Sequence, residues 1–114
     1  MQDLTTTARV AQLNDELRAT MGLRTGRLVT TRGVASQTPE TKIDVFKAVK
    51  TFSDFTPEND PYGEHDFGKV VVGDKDYFWK IDYFDKPHFY HHSIEKANPR
   101  VTTRVLTIML ASEY

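Results

Sequence analysis

The spacing of apolar residues divides the first half of the chain into two helices and a strand. Between residues 3 and 21 the apolar side chains recur at steps of three and four, which is the spacing of one helix face, and Gly22 ends the pattern. The segment 26–33 is short, rich in β-branched residues and bounded by glycines, so it predicts a strand. Thr38-Pro39 is typical of a helix start, and an apolar face over 43–52 continues that second helix.

The second half begins with a loop and continues as a hairpin. The segment 56–68 is dense in proline, glycine, asparagine and aspartate, which predicts a long loop. Residues 69–85 predict a β-hairpin around Gly73-Asp74, and the alternation in its second strand places one set of side chains on a single face: Tyr77, Trp79, Ile81 and Tyr83. Residues 101–111 fit either a helix or a strand, and Asn98-Pro99 in front of them favours a helix.

These elements predict an α+β fold. A small antiparallel sheet of about three strands, including the hairpin near 69–85, would pack against two or three helices. The chain has 114 residues, a length that suits one hydrophobic core, so a single domain over 1–114 is expected.

Composition excludes several classes of protein. The chain has no cysteine, which removes disulfides and thiolate chemistry. It lacks a signal-peptide pattern and a membrane-spanning apolar run, so a cytoplasmic location without membrane contact is expected. The net charge of −1 argues against direct nucleic-acid binding. Arginines are frequent in the first third and acids between 54 and 85, which indicates either a charge dipole or two ordinary solvated faces.

The candidate catalytic group is the triplet Glu64-His65-Asp66, because an imidazole beside carboxylates can move protons near neutral pH. In an enzyme, His65, Asp66 and Asp82 would be the catalytic residues. Neighbours in sequence often point apart, so we favour a structural role in which His65 ties the loop to the hairpin, through Asp82 or a backbone carbonyl. No catalytic residue is therefore assigned.

A metal site is the second chemical alternative. His88 and His92 have the i, i+4 spacing that would place two imidazoles on one helix face. Without cysteine the ligand set is incomplete, so neither a metal nor another cofactor is expected.

Three motifs in order along the chain carry a family resemblance: NDPYGEHDFG at 59–68, FWKIDYFD at 78–85 and TRVLTIMLASEY at 103–114. Together they resemble the bacterial domain-of-unknown-function 3768 family. The resemblance implies no activity, but such proteins are similar to small accessory proteins of bacterial plasmids, integrative elements and phages.

By that resemblance, the leading hypothesis is a non-enzymatic protein that binds and blocks a host defence complex, in an anti-CRISPR or antirestriction role. The predicted partner-binding surface is acidic and aromatic, consisting of Asp60, Tyr62, Glu64, Asp66, Asp82 and Asp85. The alternative is a small hydrolase or nuclease that depends on His and Asp or on a metal ion. A homodimeric scaffold is a third hypothesis.

Overall fold

The computed structural model describes residues 2–86 and 91–114, which form the following elements in chain order. The helices are α1 (Gln2–Thr20), the single-turn α2 (Arg32–Ala35) and α3 (Pro39–Lys50). The strands are β1 (Arg27–Thr30), β2 (Phe67–Val72), β3 (Lys75–Asp85) and β4 (Thr102–Leu110), followed by a 3-10 turn at Ala111–Glu113.

The four strands form one mixed sheet in the order β1-β4-β3-β2. The hairpin β2–β3 and the pair β3–β4 are antiparallel, whereas β1 runs parallel to β4 with Arg27 opposite Val105. The α+β class is confirmed, with a fourth strand and one parallel pair beyond the predicted three antiparallel strands.

The C-terminal segment is the main error of the sequence prediction, because 102–110 is a strand and not part of a helix. Asn98 does not cap a helix here; its side-chain oxygen accepts from the backbone N–H of Arg100 at 3.0 Å, and its carbonyl accepts from Val101, which closes a turn. The β-branched residues that follow then suit a strand between two others. The position of this segment within the sheet thus outweighs the helix preference of its local sequence.

The predicted strand at 26–33 is shorter than expected. Only Arg27–Thr30 pairs with the sheet, and the chain then turns into α2, which buries Val34 completely. The second predicted helix is confirmed, since the Thr38 hydroxyl accepts from the backbone N–H of Thr41 and Pro39 opens α3.

The hydrophobic core lies between the helices and one face of the sheet. The predicted alternation in β3 is confirmed, because its inward positions are buried and its other positions are partly exposed. Trp79 is fully buried and packs edge-on against Phe52 and Phe55. Gly68 is required opposite it, since a Cβ at that position would lie 2.5 Å from the indole nitrogen of Trp79. No helix in the described part of the chain is long and apolar enough to cross a membrane.

Candidate functional site

The 51–66 loop is bound to helix α1 through His65. The His65 Nδ1 atom lies 3.0 Å from Asp15 Oδ1, and the same oxygen accepts from Arg18 Nη2 at 2.7 Å. A carboxylate only accepts hydrogen bonds, so the geometry places a proton on His65 Nδ1. The His65 side chain therefore ties the loop to helix α1, and not to the hairpin through Asp82 or a backbone carbonyl as expected.

Asp60 holds His65 from the other side. Its Oδ1 atom accepts from the backbone N–H groups of Glu64 and His65, each at 3.1 Å. Its Oδ2 atom lies 3.7 Å from His65 Nε2, so the imidazole sits between two carboxylates. These contacts hold His65 at a φ of 57°, in the left-handed region that disfavours most side chains. The ring also stacks on Phe55, with 3.9 Å between the ring centroids.

Arg18 connects this cluster to the core. Its side chain is 4 % exposed, and Nη1 donates to the carbonyl oxygens of Val49 and Phe52 at the end of α3. Its guanidinium lies 4.8 Å from the centroid of the Trp79 ring, which is a favourable cation–π position. The loop, α1 and α3 are thus joined through one buried cation.

A second buried polar network surrounds Asn14. Its Nδ2 atom donates to the carbonyl oxygen of Glu64 at 2.9 Å and to the Tyr83 hydroxyl at 2.8 Å. Its Oδ1 atom accepts from Arg104 Nε at 3.0 Å, and Arg104 Nη2 donates to the carbonyl oxygen of Lys96. All the hydrogen-bonding groups of the Asn14 side chain face a partner, which explains how an amide is accommodated at 0 % exposure.

This network changes the acidity of its members. Burial raises the pKa of Asp66, with the nearby charges of Glu64 and Asp60 adding to the shift, although the hydrogen bond from the Tyr83 hydroxyl at 3.1 Å opposes it. Burial also raises the pKa of the Tyr83 phenol, and the Asp66 charge acts in the same direction. Burial lowers the pKa of the Arg104 guanidinium. Desolvation is the common cause, because it disfavours the charged form of each group.

The three residues considered for catalysis do not converge. His65 faces Asp15, and Asp66 accepts from Tyr83. Asp82 lies on the opposite face of the sheet, where it pairs with Lys80 at 3.1 Å. The imidazole instead lies between Asp15 and Asp60, and sequence reasoning did not identify Asp15.

The residues predicted to bind a partner are divided between two sides of the molecule. Tyr62 is 79 % exposed, whereas Glu64 forms an ion pair with Lys96 at 3.0 Å and Asp60 and Asp66 are engaged inside the loop cluster. Asp85 is partly buried at the end of β3, where its backbone N–H donates to the carbonyl oxygen of His91.

The histidines considered as metal ligands give little support for a metal site. His88 lies outside the described residues, and His92 is exposed and forms an isolated β-bridge with Phe84. Among the residues that the structure describes, no group of three His, Asp or Glu side chains could hold a metal ion.

The face of the sheet that points away from the core is only partly covered. We call it the open sheet face; it comprises the half-buried residues Phe78, Lys80, Asp82, Phe84, Val105 and Thr107. It continues onto β1 at Val29, which is 46 % exposed, and Tyr114 covers one end by contacting Phe78 at 5.3 Å between centroids. Aromatic, aliphatic and paired charged groups therefore share one surface on the two central strands.

Comparison with known proteins connects the fold to a family. The family model described as a protein of unknown function, DUF3768, matches residues 30–113. The chain belongs to this family. No curated protein and no solved structure matches the chain. The DUF3768 match covers α3, the hairpin and β4, but it leaves out all of α1 and most of β1. The His65–Asp15 contact therefore joins the family region to a helix that precedes it.

Sequence reasoning missed the α1 residues of the polar networks, although α1 contains a signal for them. Asn14 lies four residues after Val10, on the apolar stripe, and Arg18 directly follows the buried Leu17. A polar residue on the buried stripe of a helix requires a hydrogen-bond partner. That rule would have selected both residues, but not their partners outside α1, which lie 31 to 90 positions later in the chain.

Proposed function

We propose that this chain is a non-enzymatic protein that binds a protein complex stoichiometrically through the open sheet face. The observation that supports this is the composition of that face: Phe78, Phe84 and Val105 are partly exposed around the Lys80–Asp82 ion pair. Apolar and aromatic groups mixed with charges at the edge are typical of protein interfaces. Partly exposed positions on two adjacent central strands also form a continuous and rigid surface.

The target we propose is a host defence complex, as in anti-CRISPR or antirestriction proteins. This part of the proposal rests on the likeness of the family to accessory proteins of mobile elements. A binder needs a rigid surface and no reactive group, and the internal engagement of His65 and Asp66 agrees with that requirement.

The test is a plaque or transformation assay in cells that carry a single defence system, with and without this chain. We expect protection of the incoming DNA by the wild type and its loss in Asp82→Lys and Val105→Arg. Ile43→Arg is the matched control, because Ile43 is 64 % exposed on α3 and lies away from the open sheet face. All three variants must first melt close to the wild type.

Stoichiometry separates binding from catalysis. A binder inhibits the purified defence complex only near one copy per site, and the complex elutes together with the chain in size-exclusion chromatography with light scattering. Inhibition at far lower ratios would contradict the proposal, as would full activity of both open-face variants.

A hydrolase is the second candidate, and one observation favours it. His65 donates from Nδ1 to Asp15, as a general base oriented by a carboxylate does, and both residues line an open depression beside α1. Against this, Nε2 faces Asp60 at 3.7 Å and not a free space. Turnover of phosphodiester, ester or peptide substrates by the wild type but not by a well-folded His65→Gln variant would favour the hydrolase.

A further inference from the structure

A cavity of about 390 Å³ opens at one end of the sheet, beside the open sheet face. Strands β1 and β4 start at this end, and β3 finishes there, because β1 is parallel and β3 antiparallel to β4. The described residues that line the cavity are Leu13, Arg24, Thr25, Gly26, Arg27, Lys86, Pro99, Thr102, Thr103 and Arg104.

The lining of this cavity is basic. It includes Arg24, Arg27, Lys86 and Arg104, and none of its described residues is an aspartate or glutamate. The whole chain carries 15 Lys and Arg against 16 Asp and Glu, so this separation of charge is local. Like charges that converge on a concave surface repel one another, and the repulsion is relieved when an anion enters.

Arg104 strengthens the argument, because it is a buried cation held by neutral groups. It is 5 % exposed, and its hydrogen bonds go to the Asn14 side chain and the Lys96 carbonyl. In the described part of the chain, Arg104 forms no salt bridge with a carboxylate. The charge of Glu64 acts on Arg104 only from beyond salt-bridge distance, and an anion in the cavity would add a second counter-charge.

The other donors are positioned at the cavity wall. Lys86 Nζ donates to the carbonyl oxygen of Pro99 at 2.8 Å, which fixes the ammonium and leaves two N–H groups for a ligand. Arg24 and Arg27 are exposed in and after the turn that joins α1 to β1, and Thr25 adds a hydroxyl between them. Guanidinium groups bind the oxygens of both phosphate and carboxylate in bidentate fashion, and several cations on one wall favour the more highly charged phosphate.

We propose that this cavity binds a small phosphorylated molecule, with a pair of linked phosphates against Arg24, Arg27 and Lys86. The volume lies in the range of small-molecule sites, and three cations at the wall match the charge of a diphosphate. A nucleoside diphosphate or triphosphate and inorganic pyrophosphate share this chemistry. The site does not depend on the proposed protein-binding function, and its test uses different variants, although Arg27 lies opposite Val105 at the border of the open sheet face.

The test is isothermal titration calorimetry of the full chain with inorganic pyrophosphate, AMP and ATP, at two salt concentrations. We expect pyrophosphate and ATP to bind, AMP to bind about tenfold or more weakly because it has one phosphate, and affinity to fall with salt. The triple variant Arg24→Gln, Arg27→Gln and Lys86→Gln should lose binding at least tenfold. If pyrophosphate binds as well as ATP, the phosphates alone are recognised; tighter ATP binding indicates a nucleotide ligand.

The matched control removes three positive charges that do not line the cavity, at Lys47, Lys69 and Lys75, each replaced by Gln. This control should bind like the wild type. Arg24→Gln alone serves as a milder variant if the triple variant melts early, and it should weaken pyrophosphate measurably. Absence of binding by both pyrophosphate and ATP would overturn the proposal. Equal losses in the control and the triple variant would also overturn it, because the attraction would then be general and not local to the cavity.

Discussion

Replacing Asn14 by alanine tests the polar network that joins α1 to the loop and the sheet. Three hydrogen bonds end on this fully buried amide, two from its Nδ2 to neutral oxygens and one from charged Arg104. A neutral bond contributes about 1 kcal/mol and one to a charged group about 2 kcal/mol, so Asn14→Ala should cost about 4 kcal/mol. Small domains have only about 5–15 kcal/mol in total, so the variant should be close to unfolding at 37 °C.

The free energy of unfolding would be measured by urea denaturation, followed by the fluorescence of Trp79 and by circular dichroism. Gln12→Ala is the matched control, because Gln12 is an exposed amide on the same helix, and its loss should change stability by less than about 0.5 kcal/mol. Combining Asn14→Ala with Tyr83→Phe completes a double-mutant cycle, for which we expect a coupling energy of about 0.5–3 kcal/mol. A cost below about 1 kcal/mol for Asn14→Ala, or no coupling to Tyr83, would refute the network as described.

Substitutions at three further positions test separate parts of the structure. His65→Ala should destabilise the fold by about 1–3 kcal/mol in denaturant melts, by removing the link between the loop and α1. His65→Gly should recover about 1 kcal/mol of that loss because glycine tolerates the left-handed backbone, and a greater loss in the glycine variant would contradict this account. Trp79→Ala should cost about 3–5 kcal/mol, so a loss of only a few degrees in a thermal melt would be incompatible with the described core. The pKa of Asp66 is raised in the fold, so its contribution to stability is greatest below the ordinary aspartate value of about 4 and declines as pH rises through the folded-state pKa. Melts from pH 3 to 8 should therefore show that the stability of Asp66→Asn increases relative to that of the wild type as pH rises. If the two stability curves stay parallel over this range, Asp66 is not the buried carboxylate described.

Sequence reasoning succeeded where the local pattern and the tertiary fold agree. Helix α3 carries its own start signal at Thr38-Pro39, and the alternation of β3 reflects one buried face, so both could be predicted from neighbouring residues. The prediction for β4 was wrong because Asn98-Pro99 suits a turn as well as a helix start. Only the position of this segment between β1 and β3 determines that it forms a strand.

The candidate sites were less predictable than the fold. The triplet at 64–66 was recognised as a cluster, but its orientation depends on Asp15, fifty residues earlier in the chain. The basic cavity unites the α1–β1 turn with the ends of β3 and β4, so its residues are scattered along the sequence. A net charge close to zero conceals such a site, because acids elsewhere balance the arginines.

The central position of β4 has a consequence for folding kinetics. Strands β1, β2 and β3 are synthesised before β4, which lies between β1 and β3 in the sheet. In an incomplete chain the edges of β1 and β3 that face β4 are therefore unpaired. Pairs such as Arg27 with Val105 bridge most of the chain, and such distant contacts slow folding because the loop between them must close first. The unpaired edges of β1 and β3 are then open to other chains, so aggregation should compete with folding most strongly before β4 docks.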